Sequence, residues 1–400
     1  MKNKLLIIYL VISWSCFFSC RKGSNKSYYD VVEVSVQDSL IHPIDVHIDL
    51  ANNCLPFDSL VTKASYVKLE TTRDNLIGRI SQLLFVADKI IVVDARRSKT
   101  ITVYDEKGHY LNRIGSLGQG PHEYGSLDDV MLTPDKKMLA ITDLGHDCIK
   151  YYDFNGDYIK SVKIPYWFCN CEFLTDNILA GYYLSGIVLP GGNPEYKPLL
   201  AVTDLNKNIL YTAFKCYYSK YFTSSILKPL RKFDDHVFFN NPNTDSIFVL
   251  TKSGPRLRYH LNIEGANKIK IYDGITDKLL DKQHQHNPFF NGDFIELKDG
   301  AIFHVFELGS SWYRFGIYSN VKQQTLSCNG LLKNPFFYFF TQAPQARYKD
   351  NTVVVDVRPD IILSYKSELY RLGKKEEIDE LYQDLTEDSN PVLFFYELKF

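Results

Sequence analysis

The sequence predicts an all-β fold, a six-bladed β-propeller with four antiparallel strands per blade, and three observations predict it. A unit of strand-like runs recurs at intervals of 48 and 49 residues where it is clearest, Asp and Gly return at matching places between the runs, and long apolar helical stretches are absent from most of the chain. Ile90-Ile91-Val92-Val93-Asp94 is echoed by Met138-Leu139-Ala140-Ile141-Thr142-Asp143, and Ile101-Thr102-Val103-Tyr104-Asp105 by Cys148-Ile149-Lys150-Tyr151-Tyr152-Asp153. Asp105 to Gly108 and Asp153 to Gly156 read as hairpin corners, where Asp opens a turn and Gly accepts positive φ. Asp153, Asn155 and Asp157 have the look of a calcium loop but lack the closing glutamate, so no metal is expected there.

The unit continues with decay. Leu199 to Asn206 is a third copy of the strand-then-Asp element, Ser246 to Thr251 a fourth, Trp312 to Ser319 a fifth and Pro391 to Tyr396 a sixth. The last blade takes Pro335 to Thr341, Thr352 to Val357 and Val392 to Phe400 from the C-terminal side. Ala64 to Glu70, a strand without a blade of its own, closes the ring and hides its edges. Two insertions interrupt the period. Glu264 to Gly292 lengthens one connection, and Ser364 to Asp388 carries one short helix, Lys375 to Leu385, with Ile378, Leu381, Tyr382 and Leu385 on a single face.

Ahead of the repeats, Lys2 and Lys4 precede an apolar run of 14 residues, Leu5 to Phe18, and Ser19 stands directly before Cys20. That is a secretory signal, too short for the roughly 20 residues that a spanning helix needs. Phe17-Phe18-Ser19-Cys20 resembles a bacterial lipobox, which implies acylation of Cys20 after cleavage of residues 1–19. Residues 20–45 read as a lipid-anchored flexible tether that begins Arg21-Lys22-Gly23-Ser24-Asn25-Lys26-Ser27, and 46–400 as the propeller domain. The basic tether favours an outer-membrane protein facing the periplasm over one exposed on the cell surface.

The composition is globular, with 45% hydrophobic and 23% charged residues. A net charge of −1, from 46 Lys+Arg against 47 Asp+Glu, gives no electrostatic reason to bind a polyanion, so nucleic acid is not an expected partner. Beyond the signal region the cysteines are Cys54, Cys148, Cys169, Cys171, Cys216 and Cys328. Their spacing is irregular, with no paired zinc knuckles, and most read as small buried hydrophobes.

Tyr66-Val67-Lys68-Leu69-Glu70-Thr71-Thr72, Leu76-Ile77-Gly78, Tyr104-Asp105-Glu106-Lys107-Gly108, Ile114 to Tyr124 and Asn390-Pro391-Val392-Leu393 together resemble the six-bladed β-propeller lipoproteins of Gram-negative gut anaerobes, which are similar to NHL-repeat propellers. The resemblance covers roughly residues 45 to 400. It implies fold and export, and hardly any activity. His122 stands where that family usually has Gly.

Gly118-Gln119-Gly120-Pro121 is glycine-rich but lacks the Lys-Ser/Thr of a phosphate loop, and reads as a crossover between blades. By the resemblance such crossovers lie where the central channel opens, which makes His122, Glu123 and Tyr124 the candidate ligand-binding residues. His284 and His286 read as a pair in a solvated loop, and His236 and His304 as structural histidines. No Gly-x-Ser-x-Gly elbow or His-Glu-x-x-His helix is present, and no catalytic set is assigned. The aromatic-rich runs Phe238-Phe239 and Phe336 to Phe340 read as sheet packing, while Trp167 and Trp312 are candidates for stacking a sugar or gripping a protein. The expectation is a monomeric ligand-binding or protein-interaction scaffold in the cell envelope. The membrane is its partner through lipid, and an envelope protein, peptide or glycan is its ligand. No cofactor is expected, with a divalent metal left open, and the alternative is a propeller lyase or hydrolase with its site at the channel mouth.

Overall fold

A computed structural model describes residues 43–400 apart from 50–53, 165, 185, 188–196, 207, 218–227, 241–243, 271, 273–274, 308–313, 329, 333–343 and 373–374. The N-terminal segment supplies β1 (Ile44–Ile48), β2 (Cys54–Pro56), the helical turn α1 (Phe57–Leu60) and β3 (Val61–Lys68). Blade 1 follows with β4 (Gln82–Val86), β5 (Lys89–Asp94), β6 (Thr100–Asp105) and β7 (Tyr110–Arg113). Blade 2 holds β8 (Asp129–Leu132), β9 (Leu139–Asp143), β10 (Cys148–Tyr152) and β11 (Tyr158–Lys163). Blade 3 holds β12 (Asn170–Thr175), β13 (Ile178–Tyr182), β14 (Pro198–Asp204) and β15 (Ile209–Lys215). Blade 4 holds β16 (Leu230–Phe233), β17 (His236–Asn240), β18 (Ser246–Thr251) and β19 (Gly254–Ile263), and α2 (Asp277–His284) follows it. Blade 5 holds β20 (Phe289–Glu296), β21 (Gly300–Phe306), β22 (Arg314–Ser319) and β23 (Gln324–Cys328), followed by β24 (Gly330–Leu332). Blade 6 takes β25 (Ala346–Arg347), β26 (Thr352–Val357) and β27 (Val392–Leu398), with α3 (Pro359–Ser364), α4 (Lys366–Leu372) and α5 (Lys375–Tyr382) between the last two.

Six antiparallel sheets result, and β3 is the fourth strand of the last, paired along β27 from Val392↔Lys68 to Leu398↔Val61. The first strands contact one another from blade to blade, β8 with β12, β12 with β16, β20 with β25 and β25 with β4, so they ring the central axis. Because strands alternate in direction, the crossovers between blades and the loops between second and third strands share one face, the crossover face. The hairpins occupy the other.

The six copies singled out in the sequence all end in a third strand: β6, β10, β14, β18, β22 and β27. Three of the corners after them are the same turn. The carboxylates of Asp105, Asp153 and Asp204 each accept two backbone N–H groups at 2.9 Å, from residues two and four further on. Gly108 and Gly156 close two of these turns at φ +89° and +96°.

Apolar residues of facing sheets pack between blades rather than in one central core. Ile91, Val93, Val103, Val130, Ile141 and Tyr152 fill the space between blades 1 and 2. Phe168 lies in such an interface, with Gly181 of β13 beneath it. A Cβ on Gly181 falls 2.3 Å from Phe168 Cγ, at the rigid root of the ring. Gly181→Ala is expected to cost about 2 kcal/mol by overpacking, measured as a fall in the denaturant midpoint.

Three differences from expectation stand out. The N-terminal chain does more than close the ring: β1 adds in parallel to the outer strand of blade 4, β2 pairs in parallel with β24 beside blade 5, and only then does β3 enter blade 6. The inner strand of blade 6 is Ala346–Arg347, while Pro335 to Thr341 lies outside the described residues, as do Cys20 and the whole signal segment. Among the described residues the insertion from Ser364 to Asp388 forms two short helices, α4 and α5, rather than one, and α3 runs directly into it. Ile378, Leu381 and Tyr382 are buried on α5 and Leu385 packs beside them, as the apolar spacing requires.

The outer strands of blades 1 to 3 carry a shared device. The β6–β7, β10–β11 and β14–β15 ladders each shift register near the start of the outer strand, at Val103/Tyr104, Tyr151/Tyr152 and Val202/Thr203. Such bulges twist an edge away from further pairing.

Candidate functional site at the channel mouth

The inner strands begin at the crossover face, and polar side chains gather there from successive blades. Asp129 opens β8. Its Oδ2 accepts from Asn170 Nδ2 and from the Cys171 N–H, each at 2.8 Å, and its Oδ1 lies 3.1 Å from Lys228 Nζ. Lys228, two residues ahead of β16, also reaches Glu172 Oε1 at 3.7 Å and donates to the Val130 carbonyl at 3.4 Å. Gln82 of β4 donates to the same carbonyl at 2.9 Å, and Asn170 Oδ1 accepts from the Leu230 N–H at 2.6 Å. Hydrogen bonds therefore run unbroken from blade 1 to blade 4.

Blades 4 and 5 are joined by Arg231, whose guanidinium lies 3.1 Å from Asp293 Oδ1 and donates to the Phe294 carbonyl. Asn240 Nδ2 donates to the Gly292 carbonyl at 2.6 Å. At the hairpin end of the axis, Arg347 pairs with Asp234 at 2.8 Å and links blade 6 to blade 4 past blade 5.

Glu172 is 6% exposed. Burial pushes its carboxyl up to about 7, against the pull of Lys228 and with the push of Asp129. Asp356, in blade 6, is likewise raised by burial to about 6, although Arg79 and Gln345 oppose the shift. His304 is buried, and desolvation holds its imidazole down to about 4, so it stays neutral beside Asp293 and Arg231. An acid that is half-protonated near neutrality, next to a lysine ammonium, can hold a cation or pass a proton. Glu172 contributes most below the ordinary glutamate value near 4.3, and the contribution is lost as pH rises through about 7. Urea unfolding at pH 5 and pH 8 should therefore show Glu172→Gln gaining on the wild type as pH rises.

The three residues singled out in the sequence lie on the crossover between blades 1 and 2, in different surroundings. Tyr124 is fully buried and its hydroxyl donates to the Lys99 carbonyl at 3.0 Å, so it cannot line a rim. Glu123 folds back on its own loop. Its Oε2 accepts from the Gly120 N–H at 2.8 Å, and a Cβ at Gly118 would fall 1.9 Å from that oxygen. The glycines thus make room for the loop's own carboxylate. His122 is exposed and stacks on Tyr158 at 4.6 Å.

Other expectations are corrected. His284 is no solvated loop residue: it ends α2, is 2% exposed and packs against the Phe289 ring at 4.1 Å. His286, two residues on, is exposed, and the two do not form a pair on one strand. Cys148, Cys169, Cys171 and Cys216 carry thiols, and burial raises Cys169 to about 11. Among the described residues no group of three or more His, Cys, Asp or Glu side chains is placed to hold a metal ion. Nor is any helix among them long and apolar enough to cross a membrane. The mouth residues escaped the sequence reading because blades about fifty residues apart each give one or two. A signal did exist: Gln82 and Asp129 each open an inner strand on a polar residue ahead of an apolar run, and Asn170 opens one on a polar residue as well.

A family model described as a domain of unknown function, DUF4934, matches residues 43–397. The chain belongs to the DUF4934 family. No curated protein matches it in sequence. Among solved structures, this DUF4934 chain is similar to a protein of Bacteroides fragilis NCTC 9343 described as inferred to be exported. The two share 17% identity over 90% of this chain and 100% of that one, with a TM-score of 0.70. A DUF4221 member from Bacteroides vulgatus is similar at 10% identity over 85% and 97% of the two chains, TM-score 0.48. The Swd1 β-propeller domain from Myceliophteria thermophila is similar at 9% identity over 84% and 100%, TM-score 0.39. At 17% identity the first likeness speaks for the fold alone.

Proposed function

We propose that this DUF4934 protein is an exported propeller lipoprotein of the NHL-like kind. It is anchored through Cys20 in the outer membrane, faces the periplasm, and binds an envelope peptide, protein or glycan at the crossover mouth of its channel. Residues 1–19 are the cleaved signal and 20–45 the tether. Export is supported by the charged, apolar and small-residue order of Lys2 to Cys20 and by the description of the Bacteroides fragilis relative.

The observation that carries the binding reading is Glu172. An acid buried with too little counter-charge costs stability, so its retention at a channel mouth points to use rather than to packing. The competing reading, a lyase or hydrolase, draws on the same residue, since Glu172 beside Lys228 suits proton transfer. Thermal unfolding of the purified full chain against peptides, oligosaccharides and divalent metals, with a chelator control, tests the proposal. A saturable rise in midpoint supports it, and a panel without any rise counts against it. Turnover of a bound oligosaccharide that Glu172→Gln abolishes would establish the enzyme instead.

A further inference from the structure

The Lys228 ammonium sits among three acceptors that its own blade does not supply: Asp129 Oδ1 at 3.1 Å, the Val130 carbonyl at 3.4 Å and Glu172 Oε1 at 3.7 Å. Three acceptors suit the three N–H bonds of a primary ammonium. The cradle is held without Lys228. Asn170 Nδ2 and the Cys171 N–H fix the other oxygen of Asp129, Gln82 fixes the Val130 carbonyl, and Glu172 is set within β12. Lys228 itself lies outside any strand, and its side chain is 17% exposed, so it is less firmly seated than the carboxylates it joins. Trp167, in the crossover that leads into β12, is 61% exposed at the same end of the blade. An exposed indole costs solubility and offers a face to an alkyl stem or a cation.

We infer that the Asp129–Val130–Glu172 cradle is a binding site for a primary ammonium, the lysine side chain of a peptide partner, and that Lys228 fills it in cis until such a ligand displaces it. This rests on the mouth being the binding site. The chemistry selects within the class. A planar guanidinium matches the three-fold arrangement less well than an ammonium does, and an uncharged side chain would leave Asp129 and Glu172 with no cation between them, since Lys232, which also acts on Glu172, is held by the Phe173 carbonyl. The tethered lysine competes at high effective concentration, so the wild type binds weakly and a vacated cradle binds well.

Calorimetric titration of the full chain with acetyl-Gly-Lys-Gly-amide and its norleucine analogue tests the inference. Lys228→Gln keeps a donor toward Asp129 and is expected to bind the lysyl peptide at least tenfold tighter than the wild type does, and the norleucine peptide not at all. Adding Glu172→Gln to it should weaken the lysyl peptide at least tenfold. As a second readout, n-butylammonium should raise the unfolding midpoint of Lys228→Gln more than that of the wild type, which remains measurable in a destabilised variant. Equal binding of the two peptides by Lys228→Gln, or lysyl binding no tighter than in the wild type, overturns the inference. If panel ligands still raise the wild-type midpoint in that case, the mouth reading stands and only its lysine specificity falls.

Discussion

Asp94→Ala is expected to lower stability by about 4 kcal/mol, since it removes one acceptor from several donors at once. Asp94 is 1% exposed at the end of β5. Its Oδ2 accepts from the N–H groups of Gly78, Arg79 and Ser98 and from Ser98 Oγ, and its Oδ1 from the N–H groups of Arg96 and Arg97. The carboxylate thus ties the crossover from blade 6 to the turn between β5 and β6. Asp143 does the same one blade on, accepting from Gly125 and Ser126 N–H groups and pairing with His146 Nδ1 at 2.6 Å. Burial alone would raise both carboxyls, but these donors outweigh it and hold them below the usual carboxylate range. Their stabilisation is therefore present above about pH 4 and lost as pH falls through the folded values. Asp153→Ala, at an exposed hairpin corner, should cost about 1 kcal/mol or less. Chemical unfolding of the two variants checks the order.

Asn390→Ala should cost about 3 kcal/mol and act on ring closure. Asn390 is 2% exposed just ahead of β27. Its amide donates to the carbonyls of Glu70 at 2.9 Å and Asn75 at 3.1 Å, its Oδ1 accepts from the Ile77 N–H, and its own N–H donates to Thr71 Oγ1. All of those partners lie more than three hundred residues away in the chain, where β3 leads into blade 1. Hydrogen exchange should show protection falling in β3 and β27 well before β9. Equal loss across all three would mean that Asn390 supports the fold generally rather than the seam.

These two clamps explain why the fold was legible and where it ceased to be. Asp94 and Asp143 repeat at 49 residues because each must reach the same backbone donors, and Tyr104 and Tyr152 repeat at 48 because each hydroxyl donates to a crossover carbonyl, of Asn75 and of His122. Positions with a fixed hydrogen-bonding duty keep their spacing. Among the described residues blades 3 to 5 show no such set of clamps; blade 3 keeps the Asp204 corner and all three keep an apolar third strand, so the period faded there. The parallel addition of β1 was not legible. Ile44-Asp45-Val46-His47-Ile48 alternates like any strand, and its partner Tyr259 to Ile263 lies more than two hundred residues on. The mouth was harder still. Asp129, Glu172 and Lys228 become neighbours only once blades 2 to 4 have packed, and the polar residue that opens an inner strand is the one local trace they leave.

The most direct test of the mouth as the binding site compares two variants against the ligand panel. Thermal unfolding midpoints are recorded with and without each peptide and oligosaccharide for the wild type, Glu172→Gln and His122→Ala. The account predicts that a ligand raises the wild-type midpoint, that the rise is lost in Glu172→Gln, and that it persists in His122→Ala. A rise that persists in Glu172→Gln and vanishes in His122→Ala would contradict it and return the site to the crossover loop.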